Sequence, residues 1–350
     1  MERLLILQDG SVYRGKALGS DNFKVGELVF HTGMTGYQEV LTDNNNCGNI
    51  VMMTYPLIGN CGINRDDYKG MNTSVFGFVM KDYCEVPSNF RCQETLNEFL
   101  TREDVAAIYD VDTRAITRKL RSEGTMKATF ANVDANVDEI VASLNAADTV
   151  HNQVELVASK EIFLIPNSGK RVVLIDCGSK LEMTRELAKR DCEVIVVPFD
   201  TTTEKIMSFK PDGIVVTEGP GNPEDLVELR NTIAELMPQV PMFGVGLGHE
   251  LIALACGAKT YKLKFGHRGG NHPVVDLATK KVEITSQNHG YAVDIESLKD
   301  TRLEMTHQAL NDKSCKGIRH LDYPCFSVQY HPSTAETFDR FVEMMNKEGK

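Results

Sequence analysis

The chain has 350 residues, of which 42% are hydrophobic and 25% are charged. This is the composition of a folded protein long enough for two domains, and it excludes disorder as the main state. The formal charge of −11 argues against a nucleic-acid-binding protein, because phosphate binding needs a concentrated basic face. No apolar run approaches the roughly 18 residues of a membrane span, and the patch Leu4–Leu7 is too short for a signal-peptide core. We expect a cytoplasmic protein that does not bind membranes.

Cysteine usage points to a reducing compartment. The nine cysteines are an odd number with no C-x-x-C pair, so neither a disulfide framework nor a zinc ribbon is indicated. We expect most of them to be buried thiols and expect no metal site.

The first half of the chain mixes strand and helix signals. Arg3–Leu7 and Ser11–Gly15 flank the turn Asp9-Gly10, which predicts a hairpin. Apolar residues at three- and four-residue spacing predict helices over Gln93–Leu100, Thr113–Arg121 and Val137–Asn145. We therefore expect a mixed α+β domain over residues 1–150, followed by a linker over 151–170, which carries Asn, Ser, Gly and Pro and has no sustained period.

The second half, residues 171–350, has the pattern of an α/β domain. Strand and helix alternate four times, and the strands are apolar throughout, which is typical of a mainly parallel central sheet covered on both faces. The predicted elements are the strands Arg171–Cys177, Glu193–Phe199, Gly213–Thr217 and Pro241–Val245 with the helices Lys180–Arg190, Thr203–Phe209, Pro223–Leu236 and Gly248–Cys256. Shorter strands are predicted at Val282–Thr285, Tyr291–Val293, Leu303–His307 and Phe326–Tyr330, and a final helix at Ala335–Asn346.

The segment G-V-G-L-G, residues 244–248, lies where a predicted strand turns directly into a helix. A dinucleotide-binding loop is one interpretation, but the spacing is not G-x-G-x-x-G and no ribose-binding acid follows. A nucleophile elbow, G-x-Nuc-x-G, is the second, and its central position is Gly246. A plain tight turn is the third.

Other loops at strand ends offer polar groups. The segment from Thr217 to Pro223 follows a strand and opens a helix, so its backbone N–H groups could receive an anionic or carbonyl oxygen. His289 and His331 each end a strand-like run, and His331 suits a general base serving a nearby nucleophile. His267 and His272 lack an evident third metal ligand, so we expect a structured loop there.

The second half resembles class I (triad-type) glutamine amidotransferase domains, and the whole chain resembles the family of carbamoyl phosphate synthase small subunits. The segments that carry the second resemblance are HTGMTGYQEVLTD (residues 31–43), TYPLIGNCG (54–62), DTRAITRKLR (112–121) and KFGHRGGNHPV (264–274). The first half would then be the docking domain of that subunit.

The resemblance implies a function and a partner. Small subunits of this family hydrolyse glutamine through a Cys-His-Glu triad and deliver ammonia to a large subunit, which makes carbamoyl phosphate for arginine or pyrimidine synthesis from bicarbonate and ATP. It implies a heterodimer with that large subunit, ATP and Mg²⁺ on the large subunit, and no cofactor on this chain. Carried over by motif, the nucleophile position is Gly246, the base is His331 and the acid position is Ser333. The glutamine contacts fall on Gly33, Gly219, Gly221, Leu247, Glu250, Asn288, Gly290 and Tyr291.

The departures from the family pattern concern the same pocket. Gly246 replaces the nucleophilic cysteine, and Cys256 lies at the far end of the following helix. Ser333 replaces the acid of the triad. Glu336 is a candidate to take the place of that acid. Gly33 stands where the family usually has Ser. Glu250 stands where the family usually has Gln, which would place a carboxylate near the carboxylate of the substrate. L-glutamine would then be a weak ligand.

Three hypotheses follow. The chain is a small subunit with lost or impaired glutaminase activity, so that its complex depends on free ammonia. Alternatively, it is a non-catalytic docking or regulatory homologue, or an active subunit that carries an engineered replacement of its nucleophile. A coenzyme-binding protein is a distant fourth.

Overall fold

The computed structural model describes residues 1–148, 150–332 and 335–348. The chain divides into two compact units, residues 1–150 and 151–350. Among the described helices, none is both long and apolar enough to cross a membrane.

The first unit is built around a closed barrel of seven strands in the order β1-β2-β8-β6-β4-β3-β9. These strands are β1 (Glu2–Leu7), β2 (Val12–Gly19), β3 (Gly26–His31), β4 (Asn49–Met53), β6 (Gly77–Val79), β8 (Ala106–Tyr109) and β9 (Met126–Ala131). A separate two-stranded sheet contains β5 (Leu57–Ile58) and β7 (Asp82–Tyr83). The predicted hairpin is confirmed, since β1 pairs with β2 and Ile6 lies opposite Val12.

Four helices accompany the barrel: α1 (Tyr37–Leu41), α2 (Leu96–Arg102), α3 (Thr113–Glu123) and α4 (Val137–Ala146). Helix α2 begins later than predicted because Thr95 caps it, in a capping box with Glu98. Asp112 caps α3 by accepting a hydrogen bond from the N–H of Ala115. Phe99 of α2 is fully buried in a core with strand residues such as Phe78.

The second unit contains one ten-stranded sheet in the order β10-β12-β11-β13-β14-β19-β18-β17-β15-β16. Its strands are β10 (Phe163–Ile165), β11 (Arg171–Asp176), β12 (Glu193–Pro198), β13 (Gly213–Val216), β14 (Met242–Val245), β15 (Thr260–Asp276), β16 (Val282–Val293), β17 (Leu303–Ala309), β18 (Cys315–His320) and β19 (Cys325–Val328). The five neighbours β12, β11, β13, β14 and β19 are mutually parallel, and the remaining pairs are antiparallel. The predicted α/β class with a parallel core is confirmed.

Both faces of this sheet are buried. Its helices are α5 (Gln153–Val157), α6 (Leu181–Ala188), α7 (Thr203–Ser208), α8 (Val227–Leu236), α9 (Leu247–Ala255) and α10 (Ala335–Glu348). Val173 of β11 packs in one core cluster with residues of α8 and α9. The next residue, Leu174, packs in another cluster with residues of α6 and α10. Because alternate residues of a strand face opposite sides, the continuous apolar run of β11 follows from this double covering.

Two sequence expectations differ from the structure. Residues 151–170 are not a plain linker, because they contain α5 and β10, and β10 pairs antiparallel with β12 as an edge strand. The segment with His267 and His272 is not a loop, because both residues lie within β15, paired with β16 through two register shifts. Strand β18 was not predicted, since Lys316 and Arg319 interrupt its apolar pattern.

Candidate functional site

Three neighbouring parallel strands, β13, β14 and β19, end at the same edge of the second sheet. Glu218, Gly246 and His331 lie just beyond these ends. The N–H of Gly246 donates a hydrogen bond to the carbonyl of Val328 at 2.9 Å, and that of Gly248 to the carbonyl of Thr217 at 3.1 Å. The three loops are therefore tied together where an open α/β sheet usually binds its ligand.

Gly246 makes the sharp turn from β14 into α9. Its backbone angles are φ 55° and ψ −111°, a conformation that side chains other than glycine's adopt only under strain. A β-carbon added here would lie 2.9 Å from the Cβ of Glu218, closer than real Cβ contacts come. The turn has the strained geometry expected of an elbow, but it presents no reactive atom.

The flanking glycines allow close packing of α9 on the sheet. A β-carbon at Gly244 would lie 2.5 Å from Cδ1 of Ile252, and one at Gly248 would lie 2.2 Å from the carbonyl oxygen of Val216. Helix–strand packing thus accounts for the G-x-G-x-G pattern without a bound dinucleotide.

His331 is held by hydrogen bonds on both ring nitrogens. Nδ1 lies 3.0 Å from Oε1 of Glu218 and Nε2 lies 3.0 Å from Oε2 of Glu182. Burial alone would lower the pKa of His331, but the charge of Glu218 and the hydrogen bonds to both carboxylates outweigh it, so its pKa is raised. Where both carboxylates are ionised they only accept, so both nitrogens donate and the ring is an imidazolium. It has no lone pair with which to take a proton from a nucleophile.

Glu218 also binds a lysine. Oε2 of Glu218 lies 2.9 Å from Nζ of Lys180, and the two side chains are only 4% and 8% exposed. Burial alone would raise the pKa of Glu218, but the charges of Lys180 and His331 outweigh it and hold the pKa below its usual range. We call the series Lys180, Glu218, His331 and Glu182 the ion-pair chain.

A second set of buried polar groups lies beside α9. Nε2 of Gln329 donates to Oε1 of Glu250 at 2.9 Å, and Nζ of Lys316 donates to Nδ1 of His267 at 2.8 Å and to Nε2 of His289 at 2.9 Å. Burial raises the pKa of Glu250 to about 8 and lowers that of Lys316 to about 7. A pKa of about 8 favours the protonated form of Glu250 at neutral pH, and the role of this residue as a glutamine contact stays a prediction.

Two cysteines near these elements are unreactive in their surroundings. Sγ of Cys256, at the C-terminal end of α9, donates to Sδ of Met237 at 3.7 Å, and burial raises its pKa to about 12. Cys177 follows β11, and a β-carbon at Gly219 would lie 2.3 Å from its carbonyl oxygen. Burial, assisted by the charge of Asp176, raises the pKa of Cys177 as well. Since the thiolate is the nucleophile, neither residue substitutes for an elbow cysteine.

The remaining candidate acids and ligands are placed as follows. Ser333 lies outside the described residues. Glu336 is exposed in the first turn of α10. The rings of His267 and His272 have centroids 5.3 Å apart, yet within the described residues no group of three or more His, Cys, Asp or Glu side chains is arranged to hold a metal ion.

Comparison with known proteins identifies the family. Residues 5–130 match the model of the carbamoyl-phosphate synthase small chain, CPSase domain, and residues 173–342 match that of class-I glutamine amidotransferase. The chain is 53% identical to the carbamoyl phosphate synthase small chain of Fusobacterium nucleatum over 99% of each chain. It is 48% identical to the pyrimidine-specific small chain of Bacillus subtilis, over all of this chain and 98% of that protein. The chain belongs to the carbamoyl phosphate synthase small-chain family.

Within this small chain, most of the residues that the family pattern assigns to glutamine lie around the elbow. Gly219 and Gly221 follow β13, and Leu247 and Glu250 lie on α9. Asn288, Gly290 and Tyr291 lie on β16, which reaches the elbow where the carbonyl of Ser286 accepts the N–H of His331 at 3.0 Å. Gly33 belongs to the first unit, where its N–H donates to Nδ1 of His31 at 3.1 Å. Their role as glutamine contacts stays a prediction.

The small chain also has site residues that the sequence patterns did not indicate. Lys180 and Glu182 flank the start of α6, and Glu218 was considered only for the backbone of its loop. The signal available in the sequence was the position of these three residues after predicted strands. Charged side chains that directly follow buried parallel strands lie at the ligand-binding edge of the sheet.

Proposed function

We propose that this chain is the small subunit of a carbamoyl phosphate synthase that binds a large synthetase subunit but does not supply it with ammonia from glutamine. The observation that carries the proposal is that two features coincide at the elbow. Gly246 offers no nucleophile, and both ring nitrogens of His331 lie 3.0 Å from carboxylate oxygens. The complex would then use free ammonia.

The chemistry of the family explains why these two features matter. A thiolate must attack the amide carbon of glutamine, and the histidine must exchange a proton with the thiol and the leaving ammonia. Glycine cannot form the covalent intermediate. Loss of the nucleophile from a triad commonly lowers the rate by roughly a millionfold, which leaves only catalysis by the oxyanion hole and by binding.

The ion-pair chain supports loss in the native gene over an engineered replacement. If only residue 246 had been replaced by engineering, the other residues around His331 would be those usual for the family. Instead, Lys180, Glu182 and Glu218 form three hydrogen-bonded contacts that satisfy one another and His331. A docking or regulatory homologue remains the second candidate, and it shares the prediction of no turnover.

We further place the complex in the cytoplasm, with L-glutamine as a weak ligand at most. The nine cysteines are all free thiols, which suits a reducing compartment. Glu250, hydrogen-bonded to Gln329, places a carboxyl group where the family usually has an amide, and its ionised form would repel the carboxylate of the substrate.

The test is synthesis of carbamoyl phosphate by the reconstituted complex. The chain would be co-expressed with the large subunit encoded in the same genome, purified as a complex, and supplied with bicarbonate, ATP and Mg²⁺ plus either glutamine or ammonium chloride. We expect ammonium to support synthesis and glutamine to give none above background. Synthesis from glutamine at a rate comparable to that from ammonium, or failure of the two subunits to co-purify, would refute the proposal.

A further inference from the structure

We propose that Glu218 is a second block on glutamine hydrolysis, independent of the missing thiol, so that a cysteine at position 246 stays unreactive while Glu218 remains. The inference rests on the proposed function, because it describes how the same site is kept inactive. It assigns Glu218 as a positioning residue that acts through His331 and through the space beside Gly246.

The first reason is steric. Besides the Cβ contact of 2.9 Å, a β-carbon at Gly246 would lie 3.3 Å from Cα of Glu218. Both atoms are fixed to the backbone, so rotation of the Glu218 side chain does not relieve the contact. The loop itself is held by the hydrogen bond from Gly248 to Thr217. A side chain at 246 therefore requires a shift of one of these two loops.

The second reason is electrostatic. Glu218 is buried and ionised between Lys180 and His331. The two cations of the site, Lys180 and His331, are already bonded to Glu218, so a thiolate at 246 would lie beside a carboxylate, and like charges disfavour each other's ionised forms. A cysteine at 246 would therefore be held as a thiol, which is not the nucleophilic form.

The third reason is the orientation of the histidine. A catalytic imidazole must direct one nitrogen at the sulfur, but in this chain both nitrogens are already bonded to carboxylates. Glu218 is the firmer of the two partners, because its side chain is 4% exposed whereas that of Glu182 is 40% exposed. Charge interactions weaken as water gains access. Release of His331 therefore depends mainly on Glu218.

The experiment compares three variants of the full chain: Gly246→Cys alone, Gly246→Cys with Glu218→Gln, and Gly246→Cys with Glu218→Gly. Glutamine keeps the shape and the β-carbon but removes the charge, whereas glycine removes both obstacles. The readout is the pH dependence of iodoacetamide alkylation at residue 246, resolved from the nine native cysteines by mass spectrometry of the peptides.

We expect the introduced thiol in the single variant to titrate at or above the ordinary cysteine pKa of about 8.5. Adding Glu218→Gln should lower the midpoint by about one pH unit or more, which makes alkylation at pH 7 about tenfold faster. Glu218→Gly should lower it at least as much. As a matched control, Glu224→Gln, at an exposed position six residues further along the chain, should leave the midpoint within about 0.3 units.

A midpoint below pH 7 in Gly246→Cys alone would overturn the inference, and so would midpoints that do not fall when Glu218 is replaced. If one of the two Glu218 variants fails to fold, the other decides the question, because burial alone also raises the midpoint of the single variant. Failure of the proposed function shows separately, as glutamine-dependent synthesis by the unmodified complex.

Discussion

Glu218 and His331 are 113 residues apart in sequence and meet through a 3.0 Å hydrogen bond between Oε1 and Nδ1. The family pattern assigns the acid partner of this histidine to position 333, two residues beyond it. In this chain a carboxylate from the loop after β13 binds the ring instead. The carboxylate-bearing residue also borders the turn at Gly246, where a nucleophile would stand. Glu218 therefore lies beside both the base position and the nucleophile position.

The stability contributed by His331 should depend on pH. Its pKa is raised in the folded protein by Glu218 and Glu182, against burial and the charge of Lys180. A raised folded pKa gives a contribution that is complete below the unfolded pKa of about 6.5 and is lost as the pH rises through the folded pKa. We expect His331→Gln to cost about 3 kcal/mol in urea unfolding at pH 5.5, and progressively less at higher pH.

His320→Gln is the control for that measurement. Burial lowers the pKa of His320, so the pH dependence of its contribution has the opposite sign. If His331→Gln cost the same at pH 5.5 and pH 9, the ring would not be an imidazolium bound to carboxylates.

Lys180 should be essential for stability despite its charge. Replacement by methionine keeps most of the side chain but leaves Oε2 of Glu218 buried without its cation. Breaking a buried pair from one side commonly costs about 3–5 kcal/mol, and we expect Lys180→Met to fall in this range. Lys189→Met removes a 68%-exposed partner of Glu186 in the same region and should cost less than about 1 kcal/mol. Equal losses in the two unfolding curves would contradict the buried pairing.

Gly246→Ala should cost more stability than Gly257→Ala, because it adds crowding to a backbone conformation that only glycine adopts without strain. Gly257 has φ +87° and no atom within 4 Å of an added β-carbon, whereas Gly246 has φ +55° and the contact with Glu218. We expect about 1–2 kcal/mol for Gly257→Ala from the left-handed conformation alone, and a clearly larger loss for Gly246→Ala. Thermal unfolding of the two variants measures the difference, and a smaller loss at 246 would mean that the elbow loops yield easily.

Glu250 should destabilise the fold increasingly as the pH rises from 5 to 7. Burial raises its folded pKa to about 8, so above the unfolded pKa of about 4.3 the folded state binds a proton that the unfolded state has lost. Glu250→Gln should therefore gain stability relative to the unmodified chain by up to about 1.4 kcal/mol per pH unit. The measurement stops at pH 7 because Lys316, whose pKa is lowered to about 7, titrates there as a second group. A gain that does not change with pH would show that Glu250 is ionised in the fold.

The parallel core and the elbow were predictable because their signals are local. Continuous apolar runs such as that of β11 reflect burial on both faces. The two glycines around Gly246 form a short pattern that is visible in the sequence, although the contacts they allow are with Ile252 of α9 and Val216 of β13. Each of these signals is read from a short stretch of sequence.

The ion-pair chain and β15 were not predictable in this way. Lys180, Glu218 and His331 come from three separate loops, so only the sheet order brings them together. The 17-residue strand β15 has no clean period of two, because its pairing with β16 shifts register between Lys262 and His267 and again between Gly269 and His272. Tertiary pairing holds such a strand in place where local propensity does not.

The contact between positions 218 and 246 bears on the evolutionary history of this subunit. The glycine codons that end in a pyrimidine are one base change from a cysteine codon, so from such a codon a cysteine is a single mutation away. With Glu218 in place, such a revertant would bring no glutamine use and would carry a crowded elbow, so selection would have nothing to favour. On the proposed function, a return to glutaminase activity therefore requires a change at residue 218 before one at residue 246.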